Sequence, residues 1–149
     1  MPIESFANNS KVILARGPVI PIVLGSPFAQ PQPQEAVKVP EDLHQTGALL
    51  DTGASNCCIN PSLAARLNLP IVGFSNSFDA SMNQIRSKVR SASIGFILKG
   101  AVINMIPAIE ISELPKDIPN HSLIIGRSLM ARFRAMYFCF KTGEYMIHF

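Results

Sequence analysis

The sequence contains no tryptophan and only three cysteines in 149 residues. Cys57 and Cys58 are adjacent, Cys139 is distant, and no CxxC pair occurs. Adjacent cysteines rarely bridge one another. An odd, low count suits a reducing compartment and points to the cytoplasm. The three histidines, His44, His121 and His148, are also far apart. No His/Cys cluster has zinc-ligand spacing, so no metal and no cofactor is expected. Charge is scarce too. Charged residues make up 15% of the chain, against roughly 25% in average domains. A net charge of +3 is too small to argue for a nucleic-acid partner. The loose basic group Arg86, Lys88 and Arg90 reads as the solvated face of a strand. No apolar run reaches the roughly 18 residues of a spanning helix, so no membrane segment is expected. No glycine-rich phosphate loop occurs either, since GPVIPIVLG has the wrong spacing.

What remains is an apolar chain, 48% hydrophobic, of a length that suits one domain with a real core. Part of so much apolar surface is expected to be covered by a partner. Lys11 to Ala29 has some features of a signal peptide, but Arg16, Pro18 and Pro21 interrupt it. Two short strands, Lys11–Ala15 and Pro18–Leu24, are the better reading. Residues 1–10 are polar and read as loose. Residues 11–149 read as a single domain, and the chain, which starts at Met1, as a complete protein. A Pro/Gln-rich loop is expected at about 26–45. Further strands are expected at Thr46–Leu50, Cys57–Ile59, Ile71–Phe74, Ile85–Ile97, Ala101–Ile111, Leu123–Ile125, Ala135–Phe140 and Tyr145–Phe149. The polar stretch Ser75–Asn83 reads as a connection, and Lys141–Glu144 as a hairpin turn. Asn60-Pro61 looks like an N-cap with proline at the first helical position, opening a helix over Ser62–Asn68. A second short helix is expected over Arg127–Phe133. Many short strands with one or two short helices argue a mostly-β, closed-barrel or sandwich fold.

One stretch suggests chemistry. In Ala48-Leu49-Leu50-Asp51-Thr52-Gly53, an apolar approach ends on a carboxylate and then a turn. Burial disfavours the charged form of such an Asp. Thr52 offers a hydroxyl, and Gly53 allows a turn and close approach. Ala54 and Ser55 are small and keep the space open. A strand-to-turn Asp that bonds its own loop would look the same, so the tripeptide alone decides nothing.

Its context is more specific. After Asp51-Thr52-Gly53-Ala54 come Cys57-Cys58-Ile59 and a short helix. Much later come Leu123-Ile124-Ile125-Gly126-Arg127 and a second helix. In these two halves, and over most of Gly17 to Phe149, the chain resembles the retropepsin-like (retroviral-type) aspartic proteases. The closing segment, from Gly126-Arg127-Ser128-Leu129 through Tyr137–Phe140 and Gly143, looks more like cellular and bacterial single-domain members.

The resemblance implies a β-barrel-like protease domain, with a flap hairpin over the active site. It implies that Asp51 is catalytic. Thr52, Gly53, Ala54, Ile124, Ile125, Gly126 and Arg127 would support the active-site loop. Phe78, Asp79, Ala80, Ser81, Met82 and Asn83 would form the substrate-binding flap. Two departures stand out. The flap lacks the glycines that viral members often carry at its tip. The position where those members place an acid to pair with the later Arg holds Ser55, so Arg127 is expected to need another partner. The mechanism requires two carboxylates around one water. The chain has a single Asp-Thr-Gly, so a symmetric homodimer is expected. An extended peptide would lie in a groove between subunits, with apolar pockets and cleavage between bulky apolar residues. Cys57 and Cys58 read as core. Tyr145–Phe149 reads either as a dimer-interface strand or as an edge strand of its own barrel. The alternative function is a catalytically inactive dimerisation or peptide-binding module on the same fold.

Overall fold

The computed structural model describes residues 3–5, 17–29, 42–98 and 101–149. The expected strand at Lys11–Ala15 and most of the Pro/Gln-rich loop lie outside these residues. The described chain forms β1 (Ile3–Ser5), β2 (Val19–Gly25), β3 (His44–Leu50), β4 (Cys58–Ile59), α1 (Pro61–Arg66), β5 (Ile71–Phe78) and β6 (Gln84–Leu98). Then follow β7 (Ala101–Glu113), β8 (Leu123–Ile125), α2 (Arg127–Met130), β9 (Ala135–Phe138) and β10 (Glu144–His148). The mostly-β expectation holds.

Six strands close on themselves in the order β2-β3-β8-β4-β7-β6, because β6 pairs back onto β2. Closure removes the free edges that an open sheet would expose. The barrel is mixed: β3 runs parallel to β8, and β4 parallel to β7, while the other pairs are antiparallel. Its interior is filled by alternate residues of each strand, as a period of two requires. Ile20, Ile22 and Leu24 enter from β2, and Ala48 and Leu50 from β3. Ile94 and Phe96 enter from β6, Ile109 and Ile111 from β7, and Leu123 and Ile125 from β8. The three apolar residues before Asp51 therefore belong to a barrel strand, whose inner positions are Ala48 and Leu50.

A second sheet, β1-β10-β9, packs on the barrel. Tyr145 and Ile147 of β10 are buried. Phe133 packs edge-to-face and Phe149 tilted against Phe96 of the barrel, with ring centroids 5.5 and 5.2 Å away. β10 lies between β1 and β9, so it is not an edge strand. The edge-strand reading fails because Ile3–Ser5, inside the segment read as loose, takes the outer position.

Two helix expectations need refinement: α2 ends at Met130, short of the expected Phe133, and the cap of α1 differs. α1 starts at Pro61 with Asn60 at its N-cap, but the Asn60 side chain makes no cap bond. It bonds instead to Ile118 N at 2.9 Å and Ile118 O at 3.1 Å. The open amide of Ser62 donates to the Asp117 carboxylate at 3.1 Å, and the Ser62 hydroxyl first, then this amide, hold the Asp117 carboxyl below its ordinary value. Helices leave their first amides without internal partners, and here a distant loop supplies one. The basic group divides. Arg86 and Lys88 are exposed, as expected of a solvated face. Arg90 turns inward and pairs with Glu113, Nη2 to Oε1 at 2.6 Å, both side chains nearly buried. A β-bulge between Ile71 and Gly73 shifts the register at that point.

Candidate active site

Asp51 sits where β3 leaves the barrel. Its amide donates to Ile125 O at 3.0 Å, which continues the β3–β8 ladder by one residue. Its carbonyl accepts from Ala54 N at 3.2 Å, closing a turn. Its carboxylate Oδ1 accepts from Gly53 N at 2.8 Å. A Cβ on Gly53 would stand 3.0 Å from that same oxygen, so glycine gives the carboxylate its clearance. Asp51 is half-buried, and Thr52 and Gly53 are exposed. The barrel thus holds the backbone of Asp51 while the turn leaves one face of the loop open.

The second motif clasps this loop from behind. Arg127 N donates to Ala54 O and Ser128 N to Ser55 O, each at 2.9 Å. These are amides of the first turn of α2, which has no side-chain cap. The Asp51 loop therefore caps the helix, and the helix fixes the loop. Gly126 packs against the carbonyls of Asn56 and Ala54 so closely that a Cβ there would collide with both. Arg127 Nη2 donates to Ser55 Oγ at 2.9 Å. The expectation that Arg127 must look elsewhere is corrected: Ser55 itself is the partner. A neutral hydroxyl can accept from a guanidinium as a carboxylate does, without the opposite charge. Ile124 and Ile125 lie on β8 beside this clasp, Ile125 pointing into the core.

The residues expected to form a flap, Phe78–Asn83, lie at the end of one hairpin. β5 and β6 pair from Ile71↔Arg90 to Phe78↔Gln84, so Ser75–Phe78, read as a connection, is strand. Serine and asparagine are poor strand formers in isolation, but cross-strand pairing carries them here. The tip is Asp79–Asn83. The Asp79 carboxylate accepts from Ser81 N and Asn83 N, each at 2.9 Å, and from Asn83 Nδ2 at 3.2 Å. Met82 takes a left-handed conformation with φ 63°, which costs a non-glycine residue some strain. The tip without glycine is thus organised by a carboxylate. Ala80, Ser81, Met82 and Asn83 are exposed, as is Phe78.

The bonds from Asn83, and then from Ser81, hold the Asp79 carboxyl below its ordinary value. A depressed carboxylate stabilises its fold above the unfolded value and loses that contribution as pH falls through the lower native value. The tip is therefore expected to stay ordered at mildly acidic pH and loosen only in stronger acid. Asp79→Ala is expected to speed exchange of the Ser81 and Asn83 amides by about tenfold at neutral pH. The Cys58 and Ile59 amides should not change. Hydrogen exchange read by NMR checks both, and unchanged Ser81 and Asn83 rates would remove Asp79 from this role.

Between the loop and the hairpin lies a groove of about 670 Å³. Gly53, Ala54 and Cys58 form one side, Phe78 and Ile85 the other, and Glu113 and Leu114 the end. Cys57 is core, its thiol 4.0 Å from Ser128 Oγ. Cys58 instead lines the groove, contrary to the core reading. Burial, the neighbouring Cys57 and the Asp51 charge push its thiol up to about 11. All three cysteines are free. Arg90, Glu113 and Asp117 were not legible as site supports, because each acts on residues far away in sequence.

A family model described as aspartyl protease matches residues 36–129, more than half of the chain. The chain belongs to the aspartyl protease family. The matched span includes the Asp51 loop, the hairpin and the Gly126-Arg127 clasp. Among solved structures, the chain is similar to a retropepsin-like aspartic protease from Rickettsia conorii, with 15% identity and a TM-score of 0.47 over 69% of this chain and 73% of that one. It is also similar to the retroviral protease-like domain of Ddi1 from Leishmania major, with 17% identity and a TM-score of 0.47 over 87% of this chain and 86% of that one. No curated protein sequence matches it. Among the described residues, no helix is long and apolar enough to cross a membrane.

Proposed function

We propose that the protein is an aspartic endopeptidase that works as a homodimer, with Asp51 of each copy forming half of the catalytic pair. The observation that carries this reading is the mounting of Asp51. The barrel and α2 fix its loop, its carboxylate sits at the open face, and Thr52-Gly53 beside it is exposed. A single Asp-Thr-Gly per chain supports the two-fold arrangement.

In this mechanism two carboxylates close together share one proton. The ionised one takes a proton from water as the water oxygen bonds to the peptide carbonyl carbon. The protonated one gives its proton to the carbonyl oxygen. Collapse of the resulting diol breaks the C–N bond. One carboxyl then protonates the departing nitrogen, and the other takes the proton of the diol hydroxyl. The hairpin, with Asp79 fixing its tip, serves as the flap that covers the peptide and excludes water. Three free thiols suit the cytoplasm.

The test joins mass and cleavage. Light scattering at micromolar concentration is expected to give twice the mass of the 16.2 kDa chain. The same sample is expected to cut a mixed peptide pool between about pH 4 and pH 7. A folded dimer that binds peptides and cuts none at any pH would instead make it a binding module.

A further inference from the structure

The β5–β6 hairpin carries most of the exposed apolar bulk. Of the seven large apolar side chains that stand exposed among the described residues, five belong to it: Ile71, Val72, Phe74, Phe78 and Met82. Single exposed apolar residues are ordinary. Five within one hairpin form a patch, and such patches mark contact surfaces. Register decides which residues share a side. Phe74 lies opposite Lys88, Asn76 opposite Arg86, and Phe78 opposite Gln84. Residues that pair directly across two strands point to the same side, and all six are exposed. The other side carries Ser75, Ser77, Ile85 and Ser87, which line the groove. Phe74, Arg86 and Lys88 are no part of that lining, while Phe78, nearer the tip, borders the groove as well.

Charge on this outer face has one sign. Arg86 and Lys88 are its ionic residues, and none of the six is acidic. Arg86 lies 4.8 Å over the Phe74 ring, which holds a cation and an aromatic surface together. Neither Arg86 nor Lys88 makes an ion pair among the described residues. The acids of the neighbouring chain are engaged elsewhere. Asp79 accepts from Ser81 and Asn83, and Glu113 is nearly buried against Arg90. The face is therefore apolar, basic and without a counter-charge of its own.

We propose that the outer face of the β5–β6 hairpin docks an extended acidic segment of a partner protein that also carries apolar side chains. The apolar side chains cover Phe74 and Phe78, and the carboxylates pair with Arg86 and Lys88, where a guanidinium can bind a carboxylate through two parallel bonds. Asn76 and Gln84 beside them offer amide donors and acceptors for the segment's peptide groups. A second copy of this chain does not fit. In a two-fold contact of this face with itself, Arg86 and Lys88 would meet like charges with no acid between them. An anionic membrane is disfavoured by number. Lipid recognition generally uses about four to eight clustered cations, and this face has two. The proposal does not rest on the endopeptidase reading. Because the hairpin also walls the groove above Gly53 and Ala54, a docked segment restrains it and with it access to the groove.

The test measures binding to the full Asp51→Asn chain, so that no probe is cut. The probe is a capped peptide that alternates glutamate with leucine, compared with the same peptide carrying glutamine for glutamate. The glutamate peptide is expected to bind about tenfold tighter or more, with the advantage shrinking as salt rises. Amide shifts in NMR spectra should centre on Phe74, Asn76, Arg86 and Lys88. Arg86→Glu/Lys88→Glu should bring the ratio to one or below, and Phe74→Ser should weaken both peptides. Lys88→Glu alone leaves the Arg86–Phe74 contact in place and reports even if the double variant fails to fold. Lys116→Glu/Lys141→Glu, two exposed cations elsewhere, changes the net charge equally and should leave the ratio as it is. Equal binding of the two peptides, or none of either, would overturn the docking face. So would an equal loss in the Lys116 and Lys141 variant, unchanged binding in Phe74→Ser, or shifts centred on Gly53 and Ala54. Phosphatidylserine vesicles that bind tighter than the peptide, and lose it in Arg86→Glu/Lys88→Glu, would make the face a membrane site instead. Since binding is read without cleavage, failure of the docking face leaves the endopeptidase reading standing, and failure of cleavage leaves the docking face standing.

Discussion

Asp51→Asn is expected to lower kcat/KM for peptide cleavage by about a thousandfold or more, with fold and dimer unchanged. The substitution is nearly isosteric. An Asn side-chain oxygen can still accept from Gly53 N, which now donates to the Asp51 carboxylate at 2.8 Å. The backbone bonds from Asp51 N to Ile125 O and from Ala54 N to Asp51 O involve no side chain. What is lost is the ability to take a proton from water and return it. In the proposed dimer both copies would carry the change, so no carboxylate would remain at the two-fold axis. Circular dichroism and light scattering should match the wild type while the peptide assay falls to background. Mixing strengthens the test. If each site needs Asp51 from two chains, an exchanged equal mixture with the variant should retain only about a quarter of the activity per site, the share of dimers with two wild-type chains. Half retained would mean that each chain works alone. Full activity of Asp51→Asn would end the catalytic reading.

The sequence made some of this arrangement legible and hid the rest for identifiable reasons. The barrel strands were visible because their inner faces are apolar and short runs end at glycine or proline. Leu123–Ile125 matched to the residue, since Gly126 and the polar Ser122 bound it on both sides. The hairpin was placed but its length was not. Ser75–Phe78 has neither alternation nor strand propensity, and its strand character comes from pairing with Gln84–Ser87. Nothing local says that Ser75, Ser77 and Ser87 face inward and Phe74 outward until the register is known. Long-range polar contacts were the least legible. Ser55 meets Arg127 across 72 positions, Asp117 caps Ser62 across 55, and Arg90 meets Glu113 across 23. Each depends on how the barrel closes, and none follows from composition or period.

Gly126→Ala is expected to cost about 3 kcal/mol of stability and to reduce cleavage about a hundredfold in whatever protein remains folded. The backbone of Gly126 has φ −92° and ψ −179°, a conformation open to any residue, so strain in its dihedrals is not the cause. Space is. An added Cβ would overlap Asn56 O, stand 2.6 Å from Asn56 C and 2.9 Å from Ala54 O. All three are backbone atoms, which cannot rotate away as a side chain could. Either the 54–56 backbone or the start of α2 must move. Movement of either strains the bonds from Arg127 N to Ala54 O and from Ser128 N to Ser55 O, which are the clasp itself. The Asp51 turn ends at Ala54, so displacement there carries back to the carboxylate. A misplacement of about 1 Å is enough to cost about a hundredfold in rate. Gly73→Ala supplies the control. Gly73 lies in β5 with nothing within 4 Å of an added Cβ, and its change in stability should stay below about 1 kcal/mol. Urea unfolding of the two variants beside the wild type measures the difference. If Gly126→Ala unfolds with the wild-type midpoint, the close packing of loop and helix is not what fixes Asp51. The conformation of the loop would then have to be set by the β3–β8 ladder alone.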